Sequence, residues 1–331
     1  MKSFLKTSLL FLIPAIIVLV AVIAMDFFKV LGFQDYYVTQ KIVINREMVT
    51  AKSYRHFRDV ENYNAFIFGS SRSHAFKCEN WKAYLDPDAK PFHFDAFGEG
   101  LWGISKKIEY IDELGDSIKH ALVIIDRSIL DLTTPRISHV SVPDPQISKA
   151  SKLDYYGKFL KASLNPQFLM AYTDFSLTNT YRDYMRAYIN HSEYKDVVNT
   201  KTCDIWYGWD EEIQKDSLAF YENLNEKHVF YNRKDLNTPK SIVSVEEIAQ
   251  LNRIKAIFDK HNTQYKIVIS PIYNQIPMET EHVELLETVF GSAHLYNFSG
   301  KNNFTEPAYN YYDTSHYRPH VANAIMKLIY N

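Results

Sequence analysis

Two short stretches at opposite ends of the chain hold residues of the types that move an acyl group. Near the amino end, Asn64-Ala65-Phe66-Ile67-Phe68-Gly69-Ser70-Ser71-Arg72-Ser73-His74 runs from apolar residues into a Gly-Ser-Ser turn. Near the carboxyl end, Tyr312-Asp313-Thr314-Ser315-His316 precedes an apolar, helix-like tail from Val321 to Ile329. A serine hydroxyl is a poor nucleophile until an imidazole takes its proton, and a carboxylate fixes that imidazole's tautomer and direction. Gly-Ser-Ser alone suits any capped turn; its pairing with Asp-x-x-His is what makes the signal specific.

The elements between them must bring the two stretches together. Ala65–Phe68 reads as a buried strand, and Gly69 lets the chain turn sharply after it. Pro91 to Phe97 and Ala121 to Ile125 read as a second and third strand, the latter fully apolar as a central parallel strand is. Between them, Leu101 to Leu114 is helical, with Ile104, Ile108, Ile111 and Leu114 on one face. Ser244-Val245-Glu246-Glu247 is a capping box opening a helix to about Asp259, buried through Ile248, Leu251, Ile254 and Phe258. Tyr265–Ile269 and His294–Phe298 read as the fourth and fifth strands, with a helix from Glu279 to Phe290 between them. Strands alternating with helices predict a mainly parallel sheet with right-handed crossovers. In such a sheet ligands bind at the carboxyl ends of the strands, where Ser71 and the Asp313/His316 segment both fall.

The strand–Gly-x-Ser pattern and Asp-x-x-His resemble the first and last blocks of the SGNH (GDSL-like) hydrolase superfamily. Within it the chain resembles membrane-anchored members of bacterial cell envelopes, DltD-type proteins and relatives of alginate O-acetyltransferases. The resemblance covers roughly residues 63–331. It implies a flavodoxin-like three-layer α/β sandwich with Ser71 as nucleophile, His316 as base and Asp313 as the acid. It also implies oxyanion donors: the Ser71 backbone N–H, and a glycine after the second strand, Gly98 or Gly100. The family's third block places an asparagine after the third strand. Here Asp126-Arg127-Ser128 stands there, and an ionised aspartate would repel an oxyanion. Asp126 would instead orient Arg127 or cap a turn.

Other polar residues near these blocks have a bland role beside a functional one. Arg72 is placed either to bind an anionic substrate or to form a surface ion pair. His74 reads as structural. His93-x-Asp95 is too weak a pattern for a metal, and neither metal nor cofactor is expected. Asn274, just past the fourth strand, falls at the catalytic edge and is a candidate for touching substrate. Cys78 and Cys203 either form one disulfide or are two buried thiols.

The domain plan is a cytoplasmic terminus over 1–8, a transmembrane anchor over 9–25, a juxtamembrane stalk over 26–62 beginning with Phe27, Phe28 and Phe33, and the catalytic domain over 63–331. The Leu9–Met25 run meets the lower limit of about 17–25 residues for a spanning helix, and Lys2 and Lys6 before it predict an extracytoplasmic domain on the inner membrane. A cleaved signal peptide is the alternative. Residues 135–240 break the strand–helix alternation and are dense in aromatics, among them Tyr172, Tyr194, Trp206, Tyr207 and Trp209. A structureless loop of that length is improbable, so a helical insertion is expected, covering the site and stacking on sugar rings or simply filling core.

With 331 residues, 46% of them hydrophobic, the chain can bury a sizeable core, and a formal net charge of -2 leaves no basic field for nucleic acid. The expected function is an extracytoplasmic serine-dependent O-acyltransferase or esterase acting on an envelope glycan or exopolysaccharide, with acetyl as the expected acyl group. Its implied partners are that glycan and a membrane-bound O-acyltransferase. The alternative is a non-catalytic assembly or glycan-binding factor that keeps the fold, favoured by the missing asparagine.

Overall fold

The computed structural model describes residues 2–32, 41–190, 196–233 and 242–331, with side chains from Leu12 onward apart from that of Lys41. Phe33, Tyr194 and the side chains of the first part of the anchor segment lie outside the described residues.

A five-stranded sheet organises the chain. Its strands are β1 (Ala65–Phe68), β2 (Pro91–His93), β3 (His120–Ile125), β4 (Gln264–Ile269) and β5 (Leu295–Asn297). They lie in the spatial order β2-β1-β3-β4-β5, and every pairing is parallel. The protein is thus α/β with a parallel central sheet, as its alternating strands and helices predict. The second and fifth strands, Pro91–His93 and Leu295–Asn297, are shorter than the expected Pro91–Phe97 and His294–Phe298.

The strands are apolar at successive positions because both faces are covered. Phe66, Phe68, Val123, Ile125, Ile267 and Ile269 point into one core, closed by the helices Leu101–Glu113, Val245–His261 and Thr280–Phe290. Ala65, Ile67, Leu122, Ile124 and Val268, one residue out of phase, point into the other. There they meet Trp81, Val321, Ile325 and Met326, so the last helix, Pro319–Tyr330, seals the opposite face. The Ser244/Glu247 capping box opens the helix Val245–His261 as its spacing predicts.

Residues 46–61, assigned from the sequence to a stalk, belong to the α/β body. The helix Arg46–Glu61 packs on the sheet, with Met48, Ala51 and Tyr54 fully buried. Its charges misled the sequence reading because they are answered from far along the chain. Arg46 pairs with Asp95 at 2.7 Å, Arg55 with Asp144 at 2.9 Å and Arg58 with Asp116 at 2.7 Å.

The insertion is largely helical, with helices Lys152–Ser163, Pro166–Thr178, Trp209–Lys215 and Ser217–Glu226. It also forms two small antiparallel ladders, Lys41–Ile42 with Ile189–Asn190 and Val197–Val198 with Ile205–Trp206. Part of residues 135–240 lies outside the described residues.

At the amino end the helix Lys2–Met25 leaves Ile13, Ile17, Val20 and Met25 exposed. Among the described residues no helix is long and apolar enough to cross a membrane.

Candidate active site

The site is built where the sheet order reverses. The chain leaves β1 for β2 on one side and returns to β3 on the other, which opens a crevice at the carboxyl ends of β1 and β3. Gly69 stands at that point because nothing larger fits. A Cβ there would lie 2.8 Å from the Ile124 carbonyl oxygen and 2.9 Å from the Ser73 Cβ. This close approach turns the chain into a short 3₁₀ segment, Ser71–Ala75, that begins at the crevice.

The two serines then divide their tasks. Ser70 is buried, and its hydroxyl oxygen accepts from the Arg72 N–H at 3.5 Å as the cap of that segment. Ser71 is half-buried, and its Oγ lies 2.9 Å from His316 Nε2. His316 Nδ1 lies 2.9 Å from Asp313 Oδ2. The Asp313 carboxylate selects the tautomer with hydrogen on Nδ1, which leaves Nε2 to accept the Ser71 proton. Asp313 also accepts the backbone N–H groups of Ser315 at 2.7 Å and His316 at 2.8 Å. Burial works against its negative charge, but the hydrogen bond and charge of His316 and those two N–H groups outweigh it and hold the carboxyl below its ordinary value. The three residues expected to act together are therefore in contact, across a separation of 245 positions between Ser71 and His316.

No protein-family model and no curated protein matches this chain.

Arg72 is engaged within the protein. Its Nη1 donates to Asp126 Oδ2 at 2.7 Å and to Ser128 Oγ at 3.2 Å, and its Nε donates to the Ser315 carbonyl at 3.2 Å. One guanidinium thus ties the nucleophile turn to the end of β3 and to the His316 loop. Asp126 caps the turn Arg127–Leu130 by accepting the Ser128 N–H at 2.8 Å. Arg127 does not turn to Asp126 but to Glu279, at 2.7 Å.

Of the two glycines after β2, Gly100 has its N–H taken by Glu99 Oε1 at 3.0 Å, and its Cβ position is filled by Leu132. Gly98, with φ at +58°, remains the candidate donor; its carbonyl accepts from Arg136 Nη1 at 3.0 Å. The segment after β2 runs beside the turn, where the Ala96 N–H reaches the Gly69 carbonyl at 3.4 Å. Asn274 lines a cleft at the end of β4, and its Oδ1 accepts the Ile276 N–H at 3.0 Å.

Sequence reasoning missed a second Ser-His-Asp set on the same turn. Ser73 Oγ lies 2.8 Å from His93 Nε2, and His93 Nδ1 lies 3.3 Å from Asp204 Oδ1. Ser73 also donates its single hydroxyl hydrogen to the Ser70 carbonyl at 2.7 Å. His93 must then donate to Ser73 rather than take its proton. All three are buried. Beside them His74 Nε2–H donates to Asp95, and the Tyr207 hydroxyl donates to His74 Nδ1 at 2.6 Å. Burial, against the pull of Asp95, drives the His74 value down to about 3, so its imidazole is neutral. His74 is structural, as expected, and the His93-x-Asp95 pattern is absorbed in these networks. No metal-ligand cluster occurs among the described residues. Cys78 and Cys203 are both buried and unbridged.

The insertion reaches the site. Tyr207 and Trp209 set their ring centroids 6.1 and 6.4 Å from the His316 ring, and Trp209 packs on Tyr312 at 5.3 Å. Trp206 lies away from them, with Lys77 Nζ 5.2 Å from its ring centroid.

Proposed function

We propose that the protein is a serine-dependent acyltransferase or esterase of the SGNH type, on a flavodoxin-like three-layer fold. The observation that supports this most is the unbroken Ser71–His316–Asp313 chain at the carboxyl edge of the sheet. Ser71 Oγ attacks the carbonyl carbon of an acyl ester or thioester while His316 Nε2 takes its proton. The Ser71 N–H and that of Gly98 are the candidate donors to the resulting oxyanion. The carbonyl re-forms as the bond to the departing alcohol or thiol breaks, and His316 returns the proton to that group. The acyl group is then held as an ester on Ser71. A hydroxyl of the acceptor, or water, repeats the sequence in reverse. Asp126, where the family's asparagine would be, faces the Arg72 guanidinium, which offsets the charge an oxyanion would otherwise meet.

The acceptor is a glycan of the cell envelope, with Trp209 at the rim beside His316 as a stacking platform for a sugar ring. The exposed apolar side chains from Leu12 to Val20, with Lys2 and Lys6 before them, support an uncleaved anchor in the inner membrane and an extracytoplasmic domain. In that setting a membrane-bound O-acyltransferase supplies the acyl group. Incubation with a fluorophosphonate followed by peptide mapping tests the reading. A single adduct on Ser71 is expected. A protein that takes up no label there is an assembly or glycan-binding factor instead.

A further inference from the structure

Where the helix Lys2–Met25 meets the insertion lies a cleft of about 350 Å³. Ile23, Phe28, Leu31, Leu153, Tyr156 and Leu160 supply most of its apolar lining. Its polar lining is Asp26, Ser163 and the Tyr156 hydroxyl. Asp26 is spent on the chain itself: its carboxylate accepts the N–H groups of Val30 and Leu31, each at 2.8 Å. What the cleft offers a ligand is therefore mainly apolar surface. An apolar cavity of roughly 150 Å³ holds a six-carbon benzene ring, so this one accommodates about a dozen carbons.

Both walls are fixed. The helix end is fastened to the insertion, with Val22 buried in one cluster with Tyr155 and Phe159. Phe27 and Phe28 set their ring centroids 5.3 and 5.2 Å from that of Phe168. The other wall is one face of the helix Lys152–Ser163. Leu153, Tyr156, Gly157 and Leu160 recur there at the three-and-four spacing of a helix face. Tyr155 and Phe159 turn into the core, whereas Leu153 is 86% exposed. Gly157 has open space where a Cβ would stand.

Continuity and charge say what covers this face. The apolar exposure of Leu12–Val20 resumes at Ile23, and Ile23 meets Leu153 and Tyr156 across the cleft. From Lys149 to Lys161 the chain carries four lysines against the single Asp154, and Lys152 and Lys161 are exposed. An apolar stripe with a tyrosine at its edge and lysines beside it matches the boundary between the acyl chains and the headgroups of an anionic bilayer.

We infer that this cleft receives one acyl chain of an anionic bilayer phospholipid, with the helix Lys152–Ser163 lying in the membrane interface. The inference rests on the reading of the preceding helix as a membrane anchor and adds a second contact beside it. Two adjoining contacts fix how the α/β body sits on the bilayer, which a single tether would leave free.

The test is photo-cross-linking of the full-length protein in vesicles of phosphatidylcholine and phosphatidylglycerol, with a diazirine on one phosphatidylglycerol chain, followed by peptide mapping. Adducts are expected on the anchor and on the peptide holding Leu153 to Leu160. Gly157→Trp fills the cleft and should lower the second set about tenfold or more, the loss of two or more buried methylenes, while leaving the anchor adducts as they were. Leu153→Glu, at a position that core packing does not use, serves the same purpose if the first variant does not fold. The diazirine carried on phosphatidylcholine instead should label that peptide several-fold less, and equal labelling overturns the anionic assignment. Adducts on the anchor alone overturn the lipid cleft and leave the anchor standing, and cross-linked dimers in that case give the face to a second copy of the chain. Helix adducts that both variants, folded, leave unchanged also overturn the cleft. A protein whose anchor takes no adduct overturns both readings.

Discussion

Ser71 and Ser73 stand two residues apart on one turn, and each meets a histidine that in turn meets an aspartate. The types and the contacts are nearly the same. Around Ser71 the residues are open, with side chains of His316 and Asp313 22% and 31% exposed. Around Ser73 they are sealed. The direction of the hydrogen bonds also differs. Ser71 can give its proton to His316, whereas Ser73 spends its proton on the Ser70 carbonyl and receives one from His93. Residue types therefore do not define a nucleophile. Exposure and a base with a free lone pair separate the two sets, and under the proposed function the inner set fixes the turn that the outer set uses.

That contrast breaks most plainly in Ser71→Ala, which should lower ester turnover by about 10⁴-fold or more and abolish fluorophosphonate labelling. Ser70→Ala and Ser73→Ala should each keep labelling of the folded protein. If Ser73→Ala removes labelling from a protein with unchanged circular dichroism, the inner set belongs to the chemistry. His316→Ala should cost nearly as much as Ser71→Ala, because members of such a unit fail together. Asp313→Asn should be less damaging than His316→Ala, by about tenfold or more, since it disturbs the tautomer and leaves the base in place. Equal losses in steady-state rates would remove the distinction.

The inner side of the comparison is read in stability. Ser73→Ala leaves His93 Nε2 buried without its acceptor, a cost of about 1–3 kcal/mol, seen as a drop of several degrees in thermal midpoint. The smallest effect is in pH. His74 titrates near 6.5 when unfolded and near 3 when folded, so below about 6.5 the unfolded chain binds the extra proton. Stability from this group is complete above 6.5 and declines as pH falls toward 3. Asp95, held far below its ordinary value by Arg46 and His74 despite its burial, adds a loss only below about 3.8. Urea midpoints at pH 7.5 and 5 should therefore differ, and His74→Gln should shrink that difference. An unchanged slope in His74→Gln would show that other groups set it.

The sheet was legible in the sequence because strands covered on both faces are written as unbroken apolar runs, and β1, β3 and β4 appear nearly residue for residue. The outer triad was legible because its members sit on local patterns, Gly-Ser-Ser and Asp-x-x-His. What escaped was written across distance. The helix Arg46–Glu61 looked like a charged stalk because the partners Asp95, Asp144 and Asp116 are far along the chain. The same holds for Ser73, His93 and Asp204, which share no motif, and for Arg72, whose neighbours in sequence say nothing of Asp126 or Ser315. A buried charge was the available signal, but burial is itself a tertiary fact.

The contact between Ser71 and His316 spans 245 positions, and the helix Pro319–Tyr330 that follows it completes one core. On a ribosome adding about 5–20 residues per second, Ser71 is made roughly 12–50 s before its base. During that interval the hydroxyl is an ordinary alcohol, whatever esters surround it. Under the proposed function the protein carries a built-in delay: the nascent chain stays chemically silent until its far end has docked.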